Sequence, residues 1–271
     1  MGWVRSINYK IHLYMDDNIK KIARTGYVSK GLVYAITGAL AFGAAVGLGG
    51  SSEGKLGVLK FLQKQPFGNV LLGIVGLGLL CYAFWRFFQS IKDPENIGDN
   101  ARGMGKRIGF FFSGLVYLGL GGYAIYQIFK PSAGSGGSKS GMLPPEYLPY
   151  IFYAIAIGLA TKAIFQFVKA YKGEFLTKFH LDAMSNINTR KTIKWLGYAG
   201  MVARGIVVGI VAYFFFRAAS SAGSEEMKGT EEAFSFLRQS SGPWLMGLVA
   251  LGLICYGAYM FIMAGYRKFK D

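Results

Sequence analysis

Six long apolar runs constrain this chain of 271 residues more than any other feature. They cover approximately residues 26–48, 67–88, 108–129, 147–168, 195–219 and 244–266. A helix needs about 20 apolar residues to cross the hydrocarbon core of a bilayer, and a segment in lipid must satisfy its own backbone hydrogen bonds. We therefore predict an all-α integral membrane protein with six transmembrane helices. The composition excludes a soluble domain, since only 16% of the residues are charged and 52% are hydrophobic.

The positions of Lys and Arg predict how these helices are oriented. Eighteen of these residues lie in the N-terminal segment, the second and fourth loops and the C-terminal tail, whereas seven lie in the other three loops. Because loops rich in Lys and Arg stay on the cytoplasmic side, we expect both termini in the cytoplasm. The formal charge of +16 then reflects orientation and contact with an anionic leaflet, and we predict no nucleic-acid partner.

The odd-numbered spans resemble one another, and so do the even-numbered spans. The odd-numbered spans align at residues 26–34 (GYVSKGLVY), 109–117 (GFFFSGLVY) and 200–208 (GMVARGIVV). The even-numbered spans align at residues 78–85 (GLLCYAFW), 158–165 (GLATKAIF) and 252–259 (GLICYGAY). Each unit has two helices, so all copies cross the membrane in the same direction. We therefore predict three parallel two-helix repeats related by pseudo-threefold symmetry.

These repeats divide the chain into five predicted segments. They are an N-terminal cytoplasmic or interfacial segment, a first repeat, a second repeat, a cytoplasmic interfacial linker and a third repeat, at residues 1–24, 25–100, 101–175, 176–194 and 195–271. The Gly/Ser-rich composition of 132–141 predicts a flexible linker inside the second repeat. Glycines on the helices predict close helix packing, either within one chain or against a second copy or another subunit.

Side chains that usually perform chemistry are missing from the predicted spans. All fourteen Asp and Glu residues lie in loops or termini, and so do His12 and His180. Proton transfer, metal binding and bis-histidine haem ligation inside a membrane use such groups. Cys81 and Cys255 occupy equivalent repeat positions, either as small packing residues or as a reactive or metal-binding pair. We predict no catalytic residues, no metal site and no cofactor.

Cations inside the spans are the candidate site. Lys30, Ser113 and Arg204 share one position of the odd spans, Lys162 takes the place of a tyrosine in the even spans, and Arg86 lies near a cytoplasmic end. A charge in a span is costly unless it snorkels, pairs or lines a polar cavity. Two interpretations stay open: snorkelling to lipid phosphates, or a cationic vestibule near the pseudo-threefold axis that binds an anion or a lipid head group.

Three short motifs identify a family resemblance. They are ARTGYVSKG at 23–31, QPFG at 65–68 and KDP at 92–94. With the repeated helix pairs, they make residues 18–271 similar to the bacterial membrane family known as domain of unknown function 1206. The resemblance implies a six-span bacterial inner-membrane protein. It implies no established reaction, so no catalytic residues carry over from it.

The sequence favours a non-enzymatic function. We expect a lipid-binding scaffold or an accessory subunit of a membrane complex, with both termini cytoplasmic. The expected partners are membrane lipids, preferentially anionic ones, and either a partner subunit or a second copy of the chain. The alternative is a channel or facilitator for a small anion that enters past Lys30, Arg204, Lys162 and Arg86. An enzyme is the third choice.

Overall fold

A computed structural model describes residues 17–48, 54–129, 148–179, 187–220 and 230–269. The predicted N-terminal segment before residue 17, the linker 132–141 and residues 180–186 of the predicted cytoplasmic linker lie outside these ranges. The described residues form eight α-helices and one 3-10 helix, Glu174–Lys178, with no β-strand among them. We number the α-helices α1 (Asp17–Ala45), α2 (Lys55–Gln63), α3 (Gly68–Lys92), α4 (Ala101–Phe129), α5 (Leu148–Lys172), α6 (Ile187–Ser220), α7 (Thr230–Ser241) and α8 (Pro243–Tyr266).

Six of these helices are long and apolar enough to cross a membrane. They are α1, α3, α4, α5, α6 and α8, and they contain between 24 and 34 residues. At about 1.5 Å per residue, even the shortest one exceeds the hydrocarbon thickness of about 30 Å. The prediction of six apolar spans is confirmed, and the chain is a multi-pass membrane protein.

Local sequence explains where two of the spans begin. Gly242 has a φ of 81° and precedes Pro243, the first residue of α8. Proline suits that position because the first N–H groups of a helix have no partner inside the helix. Asn100 precedes α4 and accepts a hydrogen bond of 2.7 Å from the Gly103 N–H through its side-chain oxygen, as a residue that caps a helix N-terminus does.

The chain forms two compact units. The first contains Met1–Lys30, Gln65–Lys130 and Met260–Asp271, and therefore the start of α1, all of α3 and α4, and the end of α8. The second contains Gly31–Lys64 and Pro131–Tyr259, and therefore the rest of α1 and α8 with α2, α5, α6 and α7. This division places α4 and α5 in different units, whereas the predicted second repeat joins them. The boundaries of the repeats stay a prediction.

In the first unit, glycine allows α3 to pack closely against α1 and α4. A Cβ atom on Gly26 of α1 would lie 2.6 Å from the backbone of Tyr82 in α3, nearer than real Cβ atoms approach. A Cβ atom on Gly76 of α3 would lie 3.1 Å from Ala124 Cβ and 3.3 Å from the Gly121 carbonyl oxygen, both in α4. Small residues therefore allow the close contacts that hold helices together in lipid.

The second unit packs α8 against α1 and α6 in a similar way. A Cβ atom on Gly200 of α6 would lie 2.6 Å from the backbone of Tyr256 in α8. A Cβ atom on Gly257 of α8 would lie 2.8 Å from Ala35 of α1. The same unit packs α5 against α6. Gly200 therefore allows a close approach of α6 to α8, as Gly26 does for α1 and α3.

Candidate functional site

Lys30 of α1 is buried against an aromatic pair in the first unit. Its Nζ donates a hydrogen bond of 2.8 Å to the Tyr82 hydroxyl. The same atom lies 4.5 Å and 5.5 Å from the ring centres of Tyr82 and Tyr117. The close approach at Gly26, about one helical turn earlier, brings α1 near enough for this contact. Only 1% of Lys30 is exposed, so aromatic side chains enclose the charge, as in a cation–π contact.

Arg204 of α6 has a similar position in the second unit. Its Nη1 donates a hydrogen bond of 2.7 Å to the Tyr256 hydroxyl. Its guanidinium carbon lies 5.0 Å and 5.5 Å from the ring centres of Tyr256 and Tyr34. With the Gln166 amide oriented so that its oxygen faces Arg204, that oxygen accepts hydrogen bonds from Nη1 at 2.9 Å and Nε at 3.3 Å. Arg204 therefore links α6 to α5, α8 and α1.

The two cation–tyrosine pairs, Lys30–Tyr82 and Arg204–Tyr256, are built alike. Each hydrogen bond joins residues that are 52 positions apart. Each cation also comes four residues after a glycine that meets the backbone of the same tyrosine. Each of these tyrosines contacts a second tyrosine edge to face, with ring centres 4.7 Å apart in the first unit and 4.8 Å apart in the second.

Arg86 of α3 joins Lys30 at the Tyr82 ring. Its guanidinium carbon lies 5.0 Å from the ring centre of Tyr82 and 4.9 Å from that of Phe110. Its Nη1 donates a hydrogen bond of 2.9 Å to Gln89 Oε1, and its buried Nε makes no hydrogen bond among the described residues. Arg86 as a whole is half-buried, so it is the more accessible of the two cations at the Tyr82 ring.

The other two predicted site residues are on α4 and α5. Ser113 is half-buried on α4 in the first unit. Lys162 is exposed on α5 in the second unit, one helical turn before Gln166. The five predicted residues thus divide between the units, with Lys30, Arg86 and Ser113 in the first and Arg204 and Lys162 in the second.

Gln89 connects Arg86 to an ion pair that the sequence did not predict. Arg267 follows the end of α8 and pairs with Glu95 in the loop after α3, with 5% and 15% of the two side chains exposed. Arg267 also donates a hydrogen bond to the Tyr27 hydroxyl and lies 5.2 Å from the Trp85 ring centre. Burial lowers the pKa of Arg267 to about 9, which still leaves the guanidinium charged at neutral pH. Glu95 therefore faces a full positive charge.

Hydrogen bonds connect this ion pair to Arg86, and the contact of Arg86 with the Tyr82 ring extends the connection to the first cation–tyrosine pair. Gln89 is buried, and its Nε2 donates a hydrogen bond of 2.7 Å to Glu95 Oε1 while its Oε1 accepts from Arg86. Trp85 Nε1 donates a hydrogen bond of 2.9 Å to the Tyr27 hydroxyl, which also accepts from Arg267. The first unit therefore contains one continuous polar network. Its members are Tyr27, Lys30, Tyr82, Trp85, Arg86, Gln89, Glu95 and Arg267.

A turn after α3 positions Glu95 for this network. Asp93 has a positive φ of 44°, and its carboxylate accepts hydrogen bonds of 2.9 Å from the N–H groups of Ile97 and Gly98. Such local side-chain bonds are typical of Asp in turns. The KDP motif at 92–94 was the available signal for a structured loop here, but Glu95 and Arg267 are 172 positions apart and no local pattern pairs them.

No grouping suited to metal binding is present in the part of the chain that the structure describes. That part holds no cluster of three or more His, Cys, Asp or Glu side chains that could coordinate an ion. Cys81 lies in the first unit and Cys255 in the second, and both are half-buried free thiols.

An apolar cleft lies in the second unit, where the C-terminal end of α1 meets the start of α8. Its volume is about 420 Å³, and its lining includes Phe42, Val46, Trp244 and Leu248. Trp244 and Leu248 are 68% and 60% exposed. Because both helices are candidate spans, this surface suits contact with lipid chains.

The polar groups of the site can bind anions and join helices. Ammonium and guanidinium groups are strong hydrogen-bond donors, and guanidinium matches the oxygens of a phosphate group. In both units these donors are supplied by one helix and their tyrosine partners by another. The arrangement therefore supports helix association and recognition of an oxyanion.

Two segments of the chain, residues 25–93 and 199–267, match the family described as Domain of Unknown Function (DUF1206). The first segment contains Lys30 and Tyr82, and the second contains Arg204 and Tyr256. The chain is also similar to the Uncharacterized protein YxxB of Bacillus subtilis (strain 168), with 32% identity over 255 residues that cover 92% of this chain and 91% of the relative. No solved structure matches the chain. This multi-pass membrane protein therefore belongs to the DUF1206 family.

Proposed function

We propose that the protein is a non-enzymatic protein of the bacterial inner membrane that binds anionic lipid and serves as a scaffold or accessory subunit of a membrane complex. One observation supports lipid binding: a single network of contacts contains three cations and only one carboxylate. They are Lys30, Arg86, Arg267 and Glu95. The network lies where α3 and α8 end. A positive cluster at that depth attracts the phosphate of an anionic head group.

Arg86 is the residue that we expect to contact the lipid. Lys30 and Arg267 are almost fully buried, so they contribute their charge from behind the surface. Arg86 is half-buried, so it is the most accessible of the three cations. The count of Lys and Arg assigns this end to the cytoplasmic leaflet, which is the anionic one.

The cation–tyrosine pairs favour a scaffold over a channel. A cation that lines a water-filled path keeps its donors in contact with water. Lys30 and Arg204 instead donate hydrogen bonds to phenol oxygens on a neighbouring helix, which makes them part of the packing. A flux assay in liposomes tests this point: we expect anion leakage equal to that of empty liposomes, and leakage that Lys30→Ala and Arg204→Ala abolish would contradict the scaffold.

We further propose that the three helix pairs are parallel repeats with pseudo-threefold symmetry and that both termini are cytoplasmic. The support for repeats is the common spacing of 52 positions in the two cation–tyrosine pairs. Orientation can be tested with single cysteines placed at positions 3 and 60 in a variant without Cys81 and Cys255. In intact cells, an impermeant maleimide should label position 60 alone.

We expect a partner subunit or a second copy of the chain to contact the least buried spans, α4 and α5. In the most apolar window of each span, 28% of the residues in α4 and 22% in α5 are buried, against 56% in α8. Helices in lipid associate through packing that such open faces allow. Purification from native membranes with a mild detergent tests this part, because a partner should remain bound to the wild-type protein.

Native mass spectrometry with retained lipids tests lipid binding. We expect phosphatidylglycerol to remain bound more often than phosphatidylcholine and expect Arg86→Gln to remove that preference. Lys92→Gln is the matched control, because Lys92 is an exposed cation near the end of the same helix. If both substitutions weaken the preference equally, the lipid responds to general surface charge, and the assignment of Arg86 is contradicted.

A further inference from the structure

The N-terminal part of α6 extends beyond its apolar run and exposes two lysines. α6 contains 34 residues, which is about 51 Å of helix, whereas the hydrocarbon core of a bilayer is about 30 Å thick. The apolar run begins at Trp195, so residues 187–194 lie at the edge of the core or outside it. Lys191 and Lys194 are exposed in this part. Because they are three positions apart, they share one face of the helix, with Cβ atoms about 5–6 Å apart.

The same face of α6 changes from charged to aromatic to apolar along the helix. Trp195 and Tyr198 follow the two lysines, Lys191 and Lys194, and Val202 comes one turn later. These three residues are 76%, 39% and 40% exposed. Tryptophan and tyrosine favour the head-group level of a membrane, and apolar side chains favour its core. The order of side chains therefore places the lysines at the depth of the lipid phosphates.

The end of α5 adds a third lysine to this surface. A Cβ atom on Gly173 would lie 3.2 Å from the Tyr198 hydroxyl oxygen, so the chain that leaves α5 passes beside α6. Side chains on a helix lean towards its N-terminus, and the Tyr198 hydroxyl therefore lies towards Lys194. Lys172, the last residue of α5, is exposed, and its neighbour Tyr171 is 91% exposed. The second unit thus presents three exposed lysines beside exposed aromatic rings.

The three lysines have few acidic neighbours. Residues 169–179 and 187–195 contain six Lys and Arg residues but one acid, Glu174. None of the three lysines makes an ion pair with the residues that the structure describes. Like charges one turn apart on a helix repel each other. A phosphate group that contacts both Lys191 and Lys194 offsets this repulsion, because ammonium groups form strong hydrogen bonds with phosphate oxygens.

We propose that Lys191 and Lys194, with Lys172 beside them, bind the phosphate of an anionic phospholipid head group. The complementary charge comes from the lipid, and Trp195 lies where the head group meets the acyl chains. All these residues are exposed at the surface, so the contact requires no cavity. The proposal does not depend on the lipid contact at Arg86, because it concerns the other unit and other residues.

The test is lipid contact at Trp195 in bilayers, because a lipid held by exposed lysines exchanges with other lipids and is lost in detergent. The full-length protein is reconstituted with lipids that carry bromine near the head group, which quenches the fluorescence of a tryptophan on contact. The Trp195 signal is the difference between the protein and Trp195→Phe. Phosphatidylglycerol should be preferred over phosphatidylcholine at least about tenfold, since each lysine near an anionic surface contributes about fivefold. Equal quenching by the two lipids overturns the proposal.

Variants assign the preference to the lysines. Lys191→Gln combined with Lys194→Gln should lower the ratio of the two lipids at Trp195 at least about fivefold. Lys191→Arg combined with Lys194→Arg keeps both charges and should retain the ratio. Arg86→Gln should also leave the ratio unchanged, which separates this proposal from the lipid contact at Arg86. A ratio that does not fall in the double Gln variant overturns the proposal.

Trp244 is the control for the net charge of the protein. It is 68% exposed in the same unit, but α8, to which it belongs, contains no Lys or Arg. The difference between the protein and Trp244→Phe should therefore show a much smaller preference for phosphatidylglycerol. A preference as large at Trp244 as at Trp195 would show that the lysines form no local site, and the proposal would be overturned.

Discussion

The Nζ of Lys30 donates a hydrogen bond of 2.8 Å to the Tyr82 hydroxyl, so a charge on the first span is held by a side chain of the second span. Tyr82 is completely buried. A buried ammonium group is costly unless hydrogen bonds and ring contacts offset the loss of water, and Tyr82 supplies both. A residue that is unfavourable in lipid therefore becomes a specific link between two helices.

Removing one hydroxyl should weaken this link. We expect Tyr82→Phe to lower the free energy of unfolding by about 1–3 kcal/mol, because the ammonium group loses a hydrogen-bond acceptor in a buried position. Thermal unfolding in detergent measures the change. Tyr117→Phe is the matched control, since it keeps the ring that faces Lys30 and Tyr82. If the two variants lose equal stability, the hydrogen bond is not the important contact.

The close approach of α1 and α3 should not tolerate a methyl group. In Gly26→Ala, the new Cβ would lie 2.6 Å from the Tyr82 backbone, so the helices must separate. The expected loss is about 1–3 kcal/mol. Gly109→Ala provides the comparison, because no described neighbour lies within 4 Å of a Cβ at that position. Thermal unfolding in detergent compares the two variants. If Gly26→Ala unfolds at the same temperature as Gly109→Ala, the packing of α1 does not depend on this contact.

The buried ion pair Glu95–Arg267 should stabilise the protein more than the exposed ion pair Asp99–Arg107. Glu95→Gln leaves the Arg267 guanidinium without its carboxylate, and breaking a buried pair costs about 3–5 kcal/mol. Asp99 pairs with Arg107, but 80% of the Asp99 side chain is exposed, so Asp99→Asn should cost no more than about 1 kcal/mol. Chemical denaturation of both variants in detergent compares the two pairs. Similar losses of stability in the two variants would show that the Glu95–Arg267 pair does not stabilise the fold more than the exposed pair.

Lys30 and Lys162 should respond differently to the same substitution. Lys30→Ala removes a buried side chain and leaves a cavity, for which we expect a loss of about 2–4 kcal/mol. Lys162 is exposed, so Lys162→Ala should change stability by less than about 0.5 kcal/mol. The retained fraction of folded protein after heating, followed by size-exclusion chromatography, is a sufficient measurement. A large loss in Lys162→Ala would place that side chain in the packing instead.

The spans could be predicted because the requirement that forms them is local. Each apolar run is long enough to cross a bilayer, and the helix satisfies backbone hydrogen bonds without help from other segments. The alignment of 26–34 with 200–208 likewise singled out Lys30 and Arg204, which both contact tyrosines. Neither observation required knowledge of how the helices are arranged.

Other parts of the site depend on distant residues. Arg267 looked like a charge in the C-terminal tail and Glu95 like one in a loop, but they meet across 172 positions. Lys55, one of the seven cations assigned to the outer loops, has its Nζ 5.2 Å from the ring centre of Tyr34 in α1. Pairings of this kind follow from helix rotation and loop path, for which the sequence contains no periodic signal.

The sequence by itself determined that this chain spans a membrane with six helices and which of its charges lie inside them, because hydrophobic length and backbone hydrogen bonding act within single segments. Only the tertiary structure decided where those charges point. Gly26 and Gly200 bring neighbouring backbones together, and that contact turns Lys30 towards Tyr82 and Arg204 towards Tyr256. The cost of a charge in lipid depends on its neighbours, and the neighbours are set by helix packing.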